Sequence, residues 1–341
     1  MDTAAAAATP TDPDQATGPG RSCPIAYRYP PAVFAQPASI HAQVLYVVGG
    51  LYGNPYALDV VEALAAAEAE PPVLLFNGDF HWFDTDPATF ATIDRRVAGY
   101  RALRGNVETE LAGDDDGAGC GCAYPDSVDA EDVERSNRIL KRLRGTALGF
   151  PQVRERLASL PRYAVAEVGG RRIAVVHGDL QSLSGWSLSE DSLRDPLNCR
   201  AMAGIARGAA IDIVASTHTC LPVAQWLHPG SGAPVLAINN GAAGMPNFRG
   251  ESGGLITRIS VRPPPFAVRY GTRMPGAVPA AGETGEGVHV HAVDLHWPAE
   301  AWMQRFRHDW PAGSDAHRSY WQRIAHGPAF DPAQADRLAP G

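Results

Sequence analysis

No apolar run in this sequence approaches the roughly 20 residues that a bilayer-spanning helix needs, so no membrane span is expected. Positive charge is also short: Lys and Arg number 29 against 37 Asp and Glu, a net −8. A field of that sign neither holds nucleic acid nor adheres to an anionic membrane surface. Cysteines are few and odd in number, five in all (Cys23, Cys120, Cys122, Cys199, Cys220). Such a count argues against a disulfide framework and for a reducing compartment. The first residues, MDTAAAAATPTDPDQ, lack the basic stretch and long apolar segment of a signal peptide. The expectation is a cytoplasmic protein with neither nucleic acid nor membrane as partner.

What is present is ordinary for a globular chain: 45% hydrophobic and 19% charged residues. Residues 1–40 are rich in Ala, Pro, Thr and Asp without period and predict a disordered tail. The central stretch is 73–84. Its apolar run VLLF breaks at Asn77-Gly78-Asp79, the pattern of a buried parallel strand entering a loop. In open α/β sheets ligands gather at such carboxyl ends, which places Asp79 where chemistry happens. A preceding strand at 43–48, a glycine-rich turn and a helix at 57–67 complete a βαβ unit.

Further along, a helix is predicted at 89–102, an acidic glycine-rich loop at 112–130 carrying Cys120-Gly121-Cys122, and helices at 131–144 and 151–160. Strands follow at 163–168 and 172–176, the second ending at His177-Gly178-Asp179. After a helix at 193–208 comes a strand at 211–215 that ends before Thr217-His218-Thr219-Cys220, then strands at 235–239 and 255–261. Prolines 263–265 close this body. A loose Pro/Gly/Ala-rich stretch and a segment with four of the seven tryptophans remain, the latter predicted to dock as terminal helices. Domain limits are therefore set at 1–40 for the tail, 41–262 for a core with an insertion at about 111–150, and 263–341 for a C-terminal extension. Arg305, Arg307 and Arg318 of that extension are expected to be solvated, with an anionic substrate as the alternative.

Asp79, Asn106, His177 and His218 all stand at, or just beyond, strand ends. Two imidazoles, a carboxylate and an amide oxygen suit Mn²⁺, Fe²⁺, Zn²⁺ or Ni²⁺. With these residues in view, the chain resembles the calcineurin-like metallophosphoesterases. That family carries five blocks on its strand-end loops: Asp-x-His-Gly-Asn, Gly-Asp, Gly-Asn-His-Asp/Glu, His-Gly, and Gly-His-Thr-His-x-Pro. Here they read Gly50-Leu51-Tyr52-Gly53-Asn54, Gly78-Asp79, Gly105-Asn106-Val107-Glu108, His177-Gly178, and Thr217-His218-Thr219-Cys220-Leu221-Pro222, in the same order.

The resemblance implies an α/β fold, a metallophosphoesterase-type sandwich of two mixed β-sheets flanked by helices. It also implies two metals, and here the sequence departs. The first metal's own positions hold Gly50, Tyr52 and Cys220, with only the shared Asp79 kept. The second metal's positions, Asp79, Asn106, His177 and His218, are all retained. One divalent transition metal per chain is therefore expected, with Tyr52 and Cys220 as ligands only if the first site has been rebuilt around phenolate and thiolate.

The resemblance further implies hydrolysis of a phosphate ester, mono- or diester, of a small metabolite by a metal-activated water. Asn54 and Asn106 are placed against substrate. The family's leaving-group acid falls at Val107, which cannot donate a proton. Replacements are sought in His81, two residues past Asp79, in Glu108 and Asp179, and in Tyr52. Two other readings stand beside this one: an inactive metal- or phosphate-binding scaffold, and a mononuclear metalloenzyme of different chemistry.

Overall fold

The apolar runs at 44–48 and 73–77 lie side by side as parallel strands, Leu45 opposite Val73 and Val48 opposite Phe76. The computed structural model describes residues 18–114, 117–276 and 287–338. Strands among these are, in chain order, Ile40–His41 (β1), Val44–Val48 (β2), Val73–Asn77 (β3), Arg101–Leu103 (β4), Tyr163–Val168 (β5), Arg171–Val176 (β6), Ile213–Ser216 (β7), Pro222–Leu227 (β8), Val235–Asn240 (β9), Gly254–Ser260 (β10), Tyr270–Met274 (β11), Val288–Leu295 (β12) and Asp336–Arg337 (β13). The α-helices are Pro55–Ala67 (α1), Pro87–Val97 (α2), Asn106–Ala112 (α3), Ala130–Ala147 (α4), Pro151–Ser159 (α5), Pro196–Gly208 (α6), Ala299–Asp309 (α7), Asp315–His326 (α8) and Pro332–Ala335 (α9).

Two mixed sheets result, ordered β11-β12-β10-β2-β3-β4 and β1-β5-β6-β7-β9-β8-β13. Strand alternation builds three apolar layers from them. Leu45, Val47 and Leu75 face Ile173, Val175, Ile213 and Ile238 between the sheets. Tyr46, Val48, Leu74 and Phe76 point the other way, toward Leu58 and Val61 of α1 and Phe90 and Ile93 of α2. On the far side Ala174, Val176 and Val214 pack against Met202, Ala203 and Ala206 of α6. The fold is the expected sandwich, and the carboxyl ends of β2, β3, β4, β6 and β7 converge on one edge.

Several expectations are corrected. The tail predicted for 1–40 is ordered from residue 18, because Tyr27, Tyr29 and Phe34 bury themselves beside β6 and α6; residues 1–17 lie outside the described residues. The helix expected at 89–102 ends at Val97 and gives way to β4. The boundary at 262/263 dissolves, since β11 and β12 pair antiparallel with one another and β12 with β10, extending the core sheet. A signal for β12 existed in the alternation of VHVHAVDL. The loose stretch at 274–287 falls largely outside the described residues. In the aromatic helices Trp302, Trp310 and Phe306 are buried, and the Trp310 indole donates to the Phe83 carbonyl at 2.8 Å. Among the described residues no helix is long and apolar enough to cross a membrane.

Candidate metal centre

Each retained candidate is delivered by the end of a strand. Asp79 follows β3, Asn106 opens α3 just after β4, His177 is the first residue beyond β6, and His218 lies two beyond β7. Backbone strain gathers at the same edge. Among the described residues six non-glycines have positive φ, and four of them are Tyr52, Asp79, His218 and Cys220, at 53°, 52°, 43° and 63°. Such conformations cost on the order of 1–3 kcal/mol each and persist where surrounding structure enforces them. Gly78 shows one enforcing contact, for a Cβ there would lie 2.5 Å from the Gly105 nitrogen and 2.6 Å from Nδ1 of His177.

Four ligand atoms meet at one point. Nε2 of His177 lies 3.3 Å from Oδ2 of Asp79, 3.1 Å from Oδ1 of Asn106 and 3.2 Å from Nδ1 of His218. The outer ring nitrogens fix the tautomers. Nδ1 of His177 donates to the Asn77 carbonyl at 2.8 Å, and Nε2 of His218 donates to the Cys122 carbonyl at 3.0 Å. Neutral imidazoles therefore turn two lone pairs toward each other and toward two oxygen acceptors, an arrangement that repels unless a cation fills it. Carbonyl support of the outer nitrogen is how proteins orient histidine ligands. The donor set and its convergence fit a divalent transition metal, with one ligand atom each from Asp79, His177 and His218 within 4.8 Å of the others. Electrostatics agree. Burial pushes His218 down to about 4, helped by the adjacent His177. Burial also works against a charged His177, yet the Asp79 carboxylate holds its pKa above the ordinary value. A single positive charge belongs at this point, and a metal can replace the proton.

At the positions where the resemblance places first-metal ligands, the Tyr52 and Cys220 side chains pack together. A Cβ at Gly50 would lie 2.7 Å from Cε2 of the Tyr52 ring, so the ring occupies space that any side chain at 50 would need. The Tyr52 hydroxyl meets the Cys220 thiol at 3.1 Å, and that thiol donates to the His218 carbonyl at 3.3 Å. Burial pushes both the phenol and the thiol up, so each keeps its proton at neutral pH. Protonated, neither is a good ligand.

The other sequence candidates are engaged elsewhere. Asn54 caps α1, its Oδ1 accepting from Tyr56 and Ala57 at 3.0 and 3.1 Å while Nδ2 donates to the Gly244 carbonyl. It is fully buried, with both its side-chain oxygen and nitrogen engaged within the fold. His81 is fully buried outside the pocket, stacked on Phe90 and 2.6 Å from Asp84, which with Asp94 raises its pKa to about 9 against the cost of burial. Glu108 collects the backbone N–H groups of Asp79, Phe80, His81 and Gly105 at 2.7 to 3.3 Å, binding the β3 and β4 loops together. Asp179 likewise accepts from Gln181, Ser182 and Ser187 within its own loop. Of the extension's arginines, Arg305 pairs with Asp86 and Asp309, and Arg307 lies over Trp321.

The cysteine loop does reach the centre, though not as free thiols. Cys120 and Cys122 form one disulfide, their Cα atoms 5.3 Å apart, although the odd cysteine count argued against a disulfide framework. The Cys120 carbonyl accepts from Asn106 Nδ2 at 2.9 Å, and the Cys122 carbonyl from Trp186 Nε1 at 3.0 Å. The sequence reading missed the walls. A cavity of about 190 Å³ opens over Asp79, Asn106 and His218, walled by Trp82, Tyr124, Trp186 and Tyr320, with Val107 and Arg323 on its surface. Trp186 stands edge-on to His218 at 5.5 Å, and Tyr320 edge-on to Trp82 at 6.5 Å. These rings come from four separate segments, so no local pattern could have joined them.

Two mixed sheets with all five blocks at the strand ends of one edge form the sandwich that the resemblance implies. The chain is similar to the crystal structure of a hypothetical protein from Pyrococcus horikoshii OT3, at 16% sequence identity and a TM-score of 0.54, over 85% of this chain and 100% of that one. A metallophosphoesterase from Sphaerobacter thermophilus is also similar, at 16% identity and a TM-score of 0.48, over 84% of this chain and 100% of that one. No protein-family model and no curated protein matches the sequence.

Proposed function

We propose that this chain is a phosphoesterase dependent on one divalent transition metal, acting on small esters whose alcohol carries an aromatic or apolar group. The observation that supports it most is the convergence of the His177 and His218 lone pairs with Asp79 Oδ2 and Asn106 Oδ1, while Tyr52 and Cys220 fill the neighbouring position. Asp79, Asn106, His177 and His218 would hold the metal. When bound, it supplies Lewis acidity to a phosphoryl oxygen and lowers the pKa of a water molecule.

The chain's own residues set the scope of the reaction. Val107 lines the cavity where a general acid is expected, so the departing oxygen receives no proton from that position. Proton transfer of that kind typically contributes about 10²–10⁴-fold, which disfavours alkyl alcohols as leaving groups and favours acidic ones such as phenols. The aromatic walls agree, because rings of Trp82, Tyr124, Trp186 and Tyr320 offer stacking and edge contacts to a planar group. Asn106 and His177 are held by carbonyls and need no rearrangement before reaction.

The test combines metal content with hydrolysis of aryl and alkyl phosphates by the purified chain and by His177→Ala. One metal per chain, lost in the variant together with aryl-ester hydrolysis, is the expected result. A bound metal with no hydrolysis of any ester would leave a binding protein.

A further inference from the structure

Among the described side chains lining the cavity, only Asp79 and Arg323 carry a formal charge, His218 being a neutral imidazole. Arg323 comes from α8, far along the chain from every strand-end block. Its Nε donates to the Pro246 carbonyl at 2.9 Å and its Nη2 to the Cys220 carbonyl at 2.7 Å. These two bonds fix the guanidinium plane and tie it to the loop that carries a first-metal position. Among the described residues Nη1 has no hydrogen-bond partner, and no carboxylate forms an ion pair with Arg323. Two other arginines at the C-terminal helices are matched by carboxylates: Arg305 by Asp86 and Asp309, Arg138 by Asp315. A half-buried guanidinium balanced only by neutral carbonyls keeps its charge available for an anion.

We propose that Arg323 binds a non-bridging phosphoryl oxygen of the substrate, supplying from α8 the positive charge that the family's first metal would bring to the Cys220 side of the cavity. The inference rests on the phosphoester reading above and names a substrate-binding residue that the strand-end blocks do not contain. It gives the packed Tyr52–Cys220 pair a sense: the metal position was closed, and a cation was brought to the same side by another route. A guanidinium suits that place, since its planar fork can give two donors to carbonyls and another to a phosphoryl oxygen. It cannot acidify a water as a metal does, so its contribution falls on binding and charge stabilisation.

The experiment measures binding of inorganic phosphate to the Mn²⁺-loaded protein by calorimetry for the native chain, Arg323→Met and Arg323→Lys. Metal content, melting temperature and KM for an aryl phosphate are recorded alongside. The expected result is at least a tenfold loss of phosphate affinity in Arg323→Met and a smaller loss, threefold or more, in Arg323→Lys. Metal content stays unchanged and KM rises in parallel. If Arg323→Met does not fold, the lysine variant decides on the same threefold criterion. Unchanged phosphate affinity in variants of a chain that binds phosphate and cleaves esters overturns the proposal and leaves Arg323 as an anchor for α8. A native chain that neither binds phosphate nor cleaves any ester overturns the phosphoester reading itself, and this inference with it.

Discussion

The Tyr52 hydroxyl and the Cys220 thiol lie 3.1 Å apart, paired at two of the positions where the resemblance places first-metal ligands. Their partnership depends on a third residue, because the Tyr52 ring fits only while position 50 has no side chain. Gly50, Tyr52 and Cys220 thus form one packed unit, and placing ligands there should require changing all three positions.

Gly50→Asp alone should destabilise the fold, since the new side chain meets the Tyr52 ring; overpacking of this kind typically costs about 1–3 kcal/mol. The triple variant Gly50→Asp, Tyr52→His, Cys220→His removes the ring and restores the ligand types. Metal analysis should then rise from one per chain to two. A triple variant that folds and still holds one metal would show that the first site is closed by more than these side chains.

His177→Ala should abolish metal binding, while Cys220→Ala should leave it intact. The first removes the nitrogen on which Asp79, Asn106 and His218 converge; the second removes only a partner of Tyr52. Loss of metal in both variants would instead place the thiol among the ligands.

Replacing Cys120 and Cys122 together by serine should weaken metal binding without removing any ligand. The disulfide loop supplies the carbonyls that hold Asn106 and the outer nitrogen of His218. Losing such support typically costs 10- to 100-fold in affinity. Competition with a chelator would measure it, and reduction of the native disulfide should act in the same direction.

His81 predicts a pH dependence of stability. Its folded pKa is raised to about 9 by Asp84 and Asp94, acting against burial, from an ordinary value near 6.5. A raised pKa means that the stabilisation is fully present below about pH 6.5 and is lost as pH rises through about 9. The amount is on the order of 1–3 kcal/mol. Melting temperatures between pH 6.5 and 9.5 should therefore fall more steeply for the native chain than for His81→Gln, which starts lower. Parallel curves would mean that the imidazolium pair contributes nothing.

Glu108 shows why some candidates were misplaced by sequence. Its position in a metal-site block suggested chemistry, yet its carboxylate is spent on four backbone N–H groups. His81 was chosen for its distance from Asp79 along the chain, but a turn of left-handed backbone at Asp79 sends it to the opposite side, against Phe90. Asn54, expected against substrate, instead caps α1, which only its folded neighbours reveal.

By itself the sequence determined that four candidate ligands would stand at strand ends. Asp79, Asn106, His177 and His218 each follow a strand by one to three residues, and a buried strand reveals itself through a short apolar run. Local chain geometry does the rest, because parallel neighbours carry their loops to one edge. The tertiary structure alone decided what surrounds that site. Arg323, Tyr320, Trp186 and the Cys120–Cys122 loop reach the cavity across separations of tens to hundreds of residues. Their arrival depends on how α8 and the loops pack, which is set by side-chain fit over the whole core and leaves no periodic trace in the chain.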